Sequence, residues 1–472
     1  MFGRLQVLRS EVNSVAIDTD VDVRNAYASD ASGLYCVPDG VARPSTMAEV
    51  TDLLRRSNAE STTVTAAGSQ TSTTGASITD TGVLVSLRGM QQVLDIDPAS
   101  ATLRVQAGAI LGDVKRAAAE QGLLFAPDPT SEDECTVGGA IACNASGART
   151  FKYGATRQHV RGLTVVLASG GVIEVRRNPL EKNTAGYAFA RDPVDWFIGS
   201  EGTLGVVVEA ELALLPLPDR VIGLEVPFVN ERDALAFIVA VRESSTVSAR
   251  CVEYFDDRAT VIARDAERKA SPASGQTMVY VEQELSASDS DAALNSLLDA
   301  WLALSEQYSA VTDDVRTFDG TDALATARRI RHAVPATMNE RGGVHRSAGG
   351  RKVSTDWAVP YRGLYKAISA SRAMASNAGI EQAVTYGHAG NGHPHQNYVA
   401  RNASELSAIN GVIDQTLRMV LAMSGTVSAE HGIGKLKRHW LSLQMTPLQL
   451  GMMRAMKHEL DPRGILAPGN IF

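Results

Sequence analysis

At 472 residues and 44% apolar content the chain is long enough for about two to four lobes with cores of their own. A net charge of −8 argues against long-range attraction to nucleic acid or anionic lipid, so an anionic substrate would need a local pocket of cations. The four cysteines, Cys36, Cys135, Cys143 and Cys251, form no CxxC pair, which argues against a disulfide scaffold, a zinc ribbon and an iron–sulfur site and fits a reducing compartment.

The opening "MFGRLQVLRSEVNSVAIDTD" is broken by charge every few residues and has no small-residue cleavage site, so no signal peptide is expected. No later stretch reaches the ~18 apolar residues of a membrane span. The expected location is cytoplasmic, with peripheral contact with a membrane left open.

Residues 46–60, "TMAEVTDLLRRSNAE", carry apolar positions at helical spacing behind a Ser-Thr cap. "TTVTAAG" and "GVLVSL" then read as strands flanking a Ser/Thr/Gly loop, and 92–112 reads as a hairpin turning at Asp97-Pro98. A helix over "LGDVKRAAAEQG" should end at Gly122. Beyond the proline-punctuated "LLPLPDR", longer elements alternate: strand "VIGLEVPF", helix "ERDALAFIVAVRES", strand "ARCVEYF", a helix through 270, strand "TMVYVEQEL" and helix "DAALNSLLDAWLALSEQ". Helices covering a sheet are predicted, hence a second domain beginning near 218.

Three glycine-rich stretches stand out before that boundary: 66–77, 136–163 and 199–207. Glycine lets backbone approach a ligand closely, and successive N–H groups with hydroxyls can nest an anion such as a pyrophosphate; tight turns in a β-rich lobe are the plainer reading. Neither G-x-G-x-x-G after a strand nor G-x-x-x-x-G-K-[ST] is present, so Rossmann and P-loop sites lack support. Further on, "YGHAGNGHPH" sets three imidazoles within eight residues, and "SAEHGIG" adds a Glu-His pair. Two imidazoles and a carboxylate that converge would suit Zn²⁺ or Mn²⁺ with positions left open for substrate oxygens, whereas a lone histidine is ordinarily a satisfied polar residue.

Taken in order, "PDPTSEDECTVGGAIACNASGARTFKYGATRQHVRGLTVVLASGG" (127–171), "NTAGY", "GSEGTLG" and the terminal "DPRGILAPG" resemble the flavin-binding half of the vanillyl-alcohol-oxidase-type flavoproteins. The likeness is strongest to the FAD-linked oxidases acting on D-lactate, glycolate, D-2-hydroxyglutarate and related D-2-hydroxy acids, and it spans nearly the whole chain. It implies an α+β fold of two domains, with 1–218 binding FAD, 219–420 forming an antiparallel α/β cap, and 421–472 completing the FAD-binding lobe.

By the same resemblance, Ala67, Gly68, Ser69, Gln70, Thr71 and Ser72 belong to the pyrophosphate loop. Pro129, Thr136, Gly138, Gly139, Ala142, Asn144, Ser146, Gly147, Tyr153 and Gly154, with Gly202, Gly205, Val206 and Val207, face the rest of the FAD. His388, His395 and Glu430 become the ligands of a divalent metal, with His393, where the family often has Asn, as an extra residue behind the ligands rather than one of them. His431 becomes the general base, Asn397 a substrate contact, and Arg331 with Lys352 the clamp on the substrate carboxylate. Electrons would pass to a separate acceptor, such as an electron-transfer protein, a cytochrome or a quinone, and a homodimer stays open.

The pyrophosphate loop departs from its relatives in being rich in Ser and Thr rather than Gly. It contains no histidine for a covalent flavin link, while Cys135 and Cys143 read as buried small residues. The rival readings are an alkyl-glycerone-phosphate-synthase-like or other alcohol oxidase, a non-catalytic FAD-binding subunit, and a zinc hydrolase. The paired histidine motifs argue against the first.

Overall fold

Thr46 caps the helix Met47–Glu60 by a reciprocal exchange, its hydroxyl accepting from the Glu49 N–H while the Glu49 carboxylate accepts from the Thr46 N–H. Val50, Leu53 and Leu54 share one face and bury it. The helix crosses between strands of a four-stranded sheet, in which Val83–Ser86 pairs in parallel with both Gly40–Ala42 and Val64–Ala67.

The computed structural model describes residues 14–266, 276–286 and 289–472. The expected hairpin is present as Val93–Asp97 and Thr102–Gln106, with Asp97 accepting from the Ala99 N–H and the Ser100 hydroxyl at the turn. It joins Val206–Ala213, Val160–Val166 and Val172–Arg176 in a five-stranded antiparallel sheet. The helix Leu111–Ala119 stops ahead of Gly122, whose φ of +70° suits the end of a helix.

The strand Arg220–Phe228 opens the second lobe, whose seven-stranded sheet is antiparallel at every pairing. Its spatial order is Arg316–Asp319, Arg220–Phe228, Thr277–Leu285, Ala249–Phe255, Val384–Gly387, His395–Asn402 and Gly349–Ser354. Helices Glu231–Glu243, Asp257–Asp265, Asp291–Gln307, Thr321–Gly343, Leu364–Asn377 and Ala403–Ala422 accompany it. The helix expected to reach 270 is seen as far as Asp265; residues 267–275, like the segment 1–13, lie outside the described residues.

Apolar burial is divided accordingly. One cluster joins Leu53, Val105, Val165 and Phe197 of the first lobe, and others gather around Phe237 and Trp301 and around Phe255 and Met338 in the second. The chain end returns to the first lobe: Ala467 donates its N–H to the Val64 carbonyl at 2.8 Å, and Ile465 and Leu466 enter that lobe's core. Two lobes of sheet and helix form the expected α+β architecture. No helix among the described residues is long and apolar enough to cross a membrane.

Candidate active site

A cavity of about 1820 Å³ lies between the lobes, larger than the roughly 300–1,000 Å³ of an ordinary small-molecule pocket. On one side are the loop 66–77, segments of 129–146 and residues 200–207; on the other are the helix Thr321–Gly343, the strand Gly349–Ser354 and the segment around Glu430 and His431. The helix turns one face inward, with Arg331, His332, Pro335, Ala336 and Asn339 on the wall. Pro335 lacks the N–H that would bond the Arg331 carbonyl, so the helical ladder is interrupted beside the cavity.

The Ser/Thr-rich loop is held by its own side chains and by the C-terminal segment. Gln70, at φ +57°, donates from Nε2 to the Tyr27 carbonyl, and the Ser72 hydroxyl accepts from the N–H groups of Thr74 and Ala76. Lys435 N–H donates to the Thr74 carbonyl at 2.9 Å. A Cβ on Gly68 would come within 2.2 Å of Thr136 Oγ1, so glycine is required where this loop meets the helix Val137–Cys143. The Ser69 hydroxyl on this wall is buried without a partner among the described residues, as a group awaiting a phosphate or ribose oxygen would be. Burial pushes the Cys135 thiol up to about 11 and the Cys143 thiol up to about 12, which disfavours the thiolate needed for a covalent link.

The histidine loop supplies the donor cluster. Gly392 takes φ +72° with Val359 pressed against it, and the chain turns so that His388, His393 and His395 come together, all buried. Nε2 of His388 and Nε2 of His395 lie 3.5 and 3.2 Å from the two oxygens of Glu430. Behind them, His388 Nδ1 is 2.6 Å from Glu253 Oε1, and the other Glu253 oxygen accepts from Arg331 Nε at 2.6 Å. A carboxylate behind an imidazole fixes its tautomer and aims its second nitrogen, the arrangement common behind metal-binding histidines. Imidazole nitrogens and a carboxylate oxygen are donors suited to Zn²⁺ or Mn²⁺, so the residues fit a divalent cation.

Charge is concentrated here. Burial alone would lower His388, but Glu253 and Glu430 outweigh it and raise it to about 10. Burial, helped by His393, takes His395 down to about 4. Glu253 falls to about 2 because Arg331 and His388 overcome its burial. His388 Nδ1 faces Glu253 and Nε2 faces Glu430, so a bound cation would displace the proton on Nε2, since a metal-binding imidazole nitrogen must be deprotonated.

His431 is on the cavity wall, stacked on His395 with ring centres 5.6 Å apart. Burial pushes it below the ordinary imidazole range against the pull of Asp356 and Glu430. Asp356 holds the loop: its oxygens accept from the N–H groups of Glu430 and His431, from the Ser428 hydroxyl and from Lys437 Nζ. Glu201, from the "GSEGTLG" segment of the first lobe, accepts from the N–H groups of Ile433 and Gly434 at 2.6 and 2.8 Å and fixes the same loop from the other side.

Residues 38–176 match the family described as FAD binding domain, and residues 218–471 match FAD linked oxidases, C-terminal domain. The chain belongs to the FAD-linked oxidase family. It is 30% identical over 454 residues to glycolate oxidase subunit GlcD of Bacillus subtilis (strain 168), covering 95% of this chain and 92% of that one. It is 33% identical over 480 residues to D-2-hydroxyglutarate dehydrogenase of Xanthomonas citri pv. viticola, covering 99% and 97%. D-lactate dehydrogenase of Anaerostipes hadrus is 28% identical, over 95% of this chain and 93% of its own. A solved alkyldihydroxyacetonephosphate synthase superposes with a TM-score of 0.72 at 17% identity, covering 96% of this chain and 83% of its own, a likeness of fold.

In this FAD-linked oxidase most of the expected site residues share the cavity: 67–72, Pro129, Thr136, Gly138, Gly139, Ala142, Ser146, Gly202, Gly205, Val206 and Val207 on one side, with Arg331, Lys352, His395, Glu430 and His431. Ser146 gives its hydroxyl to Glu430 at 3.1 Å. Four expected FAD contacts are not on the wall. Asn144 ends a helix at φ +50° and binds the Arg157 N–H, Gly147 is pressed against Asp128, and Tyr153 and Gly154 belong to the short turn that follows. Asn397 is fully buried in its strand with its Nδ2 3.5 Å from the His395 carbonyl, and it is Tyr386 that lines the cavity. Sequence reasoning missed Glu253, Asp356, Lys437 and Glu201. The available signal was a charge inside an apolar strand, as in "ARCVEYF", whose residues are all buried.

Proposed function

We propose that this FAD-linked oxidase converts a D-2-hydroxy acid to its 2-oxo acid, with residues 1–218 and 421–472 holding FAD and 219–420 capping it. The observation that carries this reading is one cavity wall bearing the flavin-loop glycines, two cations, and His431 beside a His/Glu donor cluster. Three relatives named for glycolate, D-2-hydroxyglutarate and D-lactate support the substrate class.

When bound, FAD supplies the acceptor for the substrate's two electrons, and a divalent cation supplies positive charge for its oxygens. Arg331 and Lys352 attract the carboxylate; Arg331 is kept in place by Glu253, and Lys352 by Asn339 at 2.9 Å. His388, His395 and Glu430 would hold the cation. Oxidation of the alcohol releases its hydroxyl proton, and neutral His431 accepts it. Asp356 orients His431 through the backbone and lies 3.7 Å from its Nδ1. The reduced protein then passes its electrons to a separate acceptor.

Chelation is the test. Removing the cation should abolish turnover while the flavin stays bound, and adding Zn²⁺ or Mn²⁺ back should restore it. Full turnover by a cation-free protein would remove the metal from the mechanism.

A further inference from the structure

We propose that His393 is a fourth protein ligand of the cation, giving a donor set of three imidazoles and one carboxylate. This rests on the reading that His388, His395 and Glu430 hold a divalent metal. Each of the four residues offers a donor atom, and these atoms lie within 4.8 Å of one another. The His393 ring centre is 4.5 Å from that of His395 and 5.5 Å from that of His388.

The state of its Nε2 points the same way. His393 is only 4% exposed, and among the described residues its buried Nε2 makes no well-aligned hydrogen bond, Asp356 Oδ1 at 3.2 Å being its nearest polar neighbour. A buried imidazole nitrogen without a well-aligned partner is costly unless something occupies it. Asp356 Oδ1 also accepts the Glu430 N–H, so the imidazole shares that oxygen with the backbone. A cation held by the neighbouring donors would take the lone pair of this nitrogen.

The loop is built to hold the ring there. The His393 N–H donates to the His388 carbonyl at 3.2 Å, Gly392 turns the chain at φ +72°, and Pro394 follows, which restricts the backbone of the residue before it. Three imidazole nitrogens and one carboxylate oxygen would together supply a donor set suited to Zn²⁺ or Mn²⁺.

X-ray absorption at the zinc edge of the FAD-loaded, Zn²⁺-loaded protein tests this directly. The wild type should fit three imidazoles. His393→Cys, with flavin content as the check on folding, should gain a Zn–S shell at about 2.3 Å, distinct from Zn–N at about 2.0–2.1 Å. Zinc bound in the Cys variant with nitrogen and oxygen neighbours alone, or a wild type with two imidazoles, would overturn the fourth ligand and leave the three-residue site standing. A folded wild type that takes up no Zn²⁺ would sink both readings together.

Discussion

Lys352 is set in the cavity wall, and burial pushes its ammonium down to about 8. The side chain is charged below that pH and neutral above it, so capture of an anionic substrate should weaken as pH rises through 8. The kcat/KM profile should show an alkaline limb there that Lys352→Arg shifts upward out of range; an unshifted limb would assign it to another group. His431 moves in the other sense. Its lowered value keeps the imidazole neutral at pH 7 and places an acidic limb below the ordinary histidine pKa of about 6.5. His431→Asn should keep FAD and slow flavin reduction by about 10²–10⁴-fold. Reduction at near wild-type speed would take the proton from some other residue. The Glu430-His431 pair and the paired histidines could be recognised from spacing because each motif is local. Asp356 and Glu253 could not: each is a single carboxylate whose side-chain partners are 37 or more residues away in the chain, and only the folded sheet brings them together.

At the scale of elements, the turn through Gly392 determines whether the donor cluster forms. At φ +72° a Cβ would meet the Val359 carbonyl oxygen at 1.9 Å, a backbone atom that cannot move aside as a side-chain tip can. Gly392→Ala should destabilise the protein by about 1–3 kcal/mol from backbone strain alone and lower metal content more than flavin content. Thermal unfolding with metal analysis checks this; a variant with unchanged melting and full metal would mean the turn is adaptable. Periodicity and caps located Met47–Glu60, the 93–106 hairpin and the strands and helices from 220 to 307 within the described residues, because those patterns are short-range. The four expected flavin contacts that do not line the cavity, Asn144, Gly147, Tyr153 and Gly154, have a common cause. They lie in one Gly-rich segment whose first half faces the cavity and whose second half turns away to cap a helix and pack on Asp128.

At the scale of the whole molecule, the site exists only where the lobes meet, and charged groups join them. Arg328 of the second lobe reaches Glu132 of the first at 2.5 Å, Arg149 lies 3.7 Å from Glu282, and Arg351 donates to the Ser32 carbonyl at 3.2 Å. Glu201 adopts φ +51°, strained for a residue with a side chain, while its carboxylate accepts the two N–H groups that follow Gly432 and precede Lys435. These pairings bring the flavin loops of the first lobe to the histidines and cations of the second. Sequence showed that there were two lobes; their mutual placement rests on single long-range pairs with no local pattern. The central claim is that the shared cavity oxidises a D-2-hydroxy acid with FAD, and anaerobic mixing of the FAD-loaded, metal-loaded protein with paired D- and L-2-hydroxy acids tests it most directly. Loss of the flavin's visible absorbance with at least one D acid, and retention with its L partner, is the predicted result; a flavin left oxidised by every hydroxy acid of either hand would contradict the account.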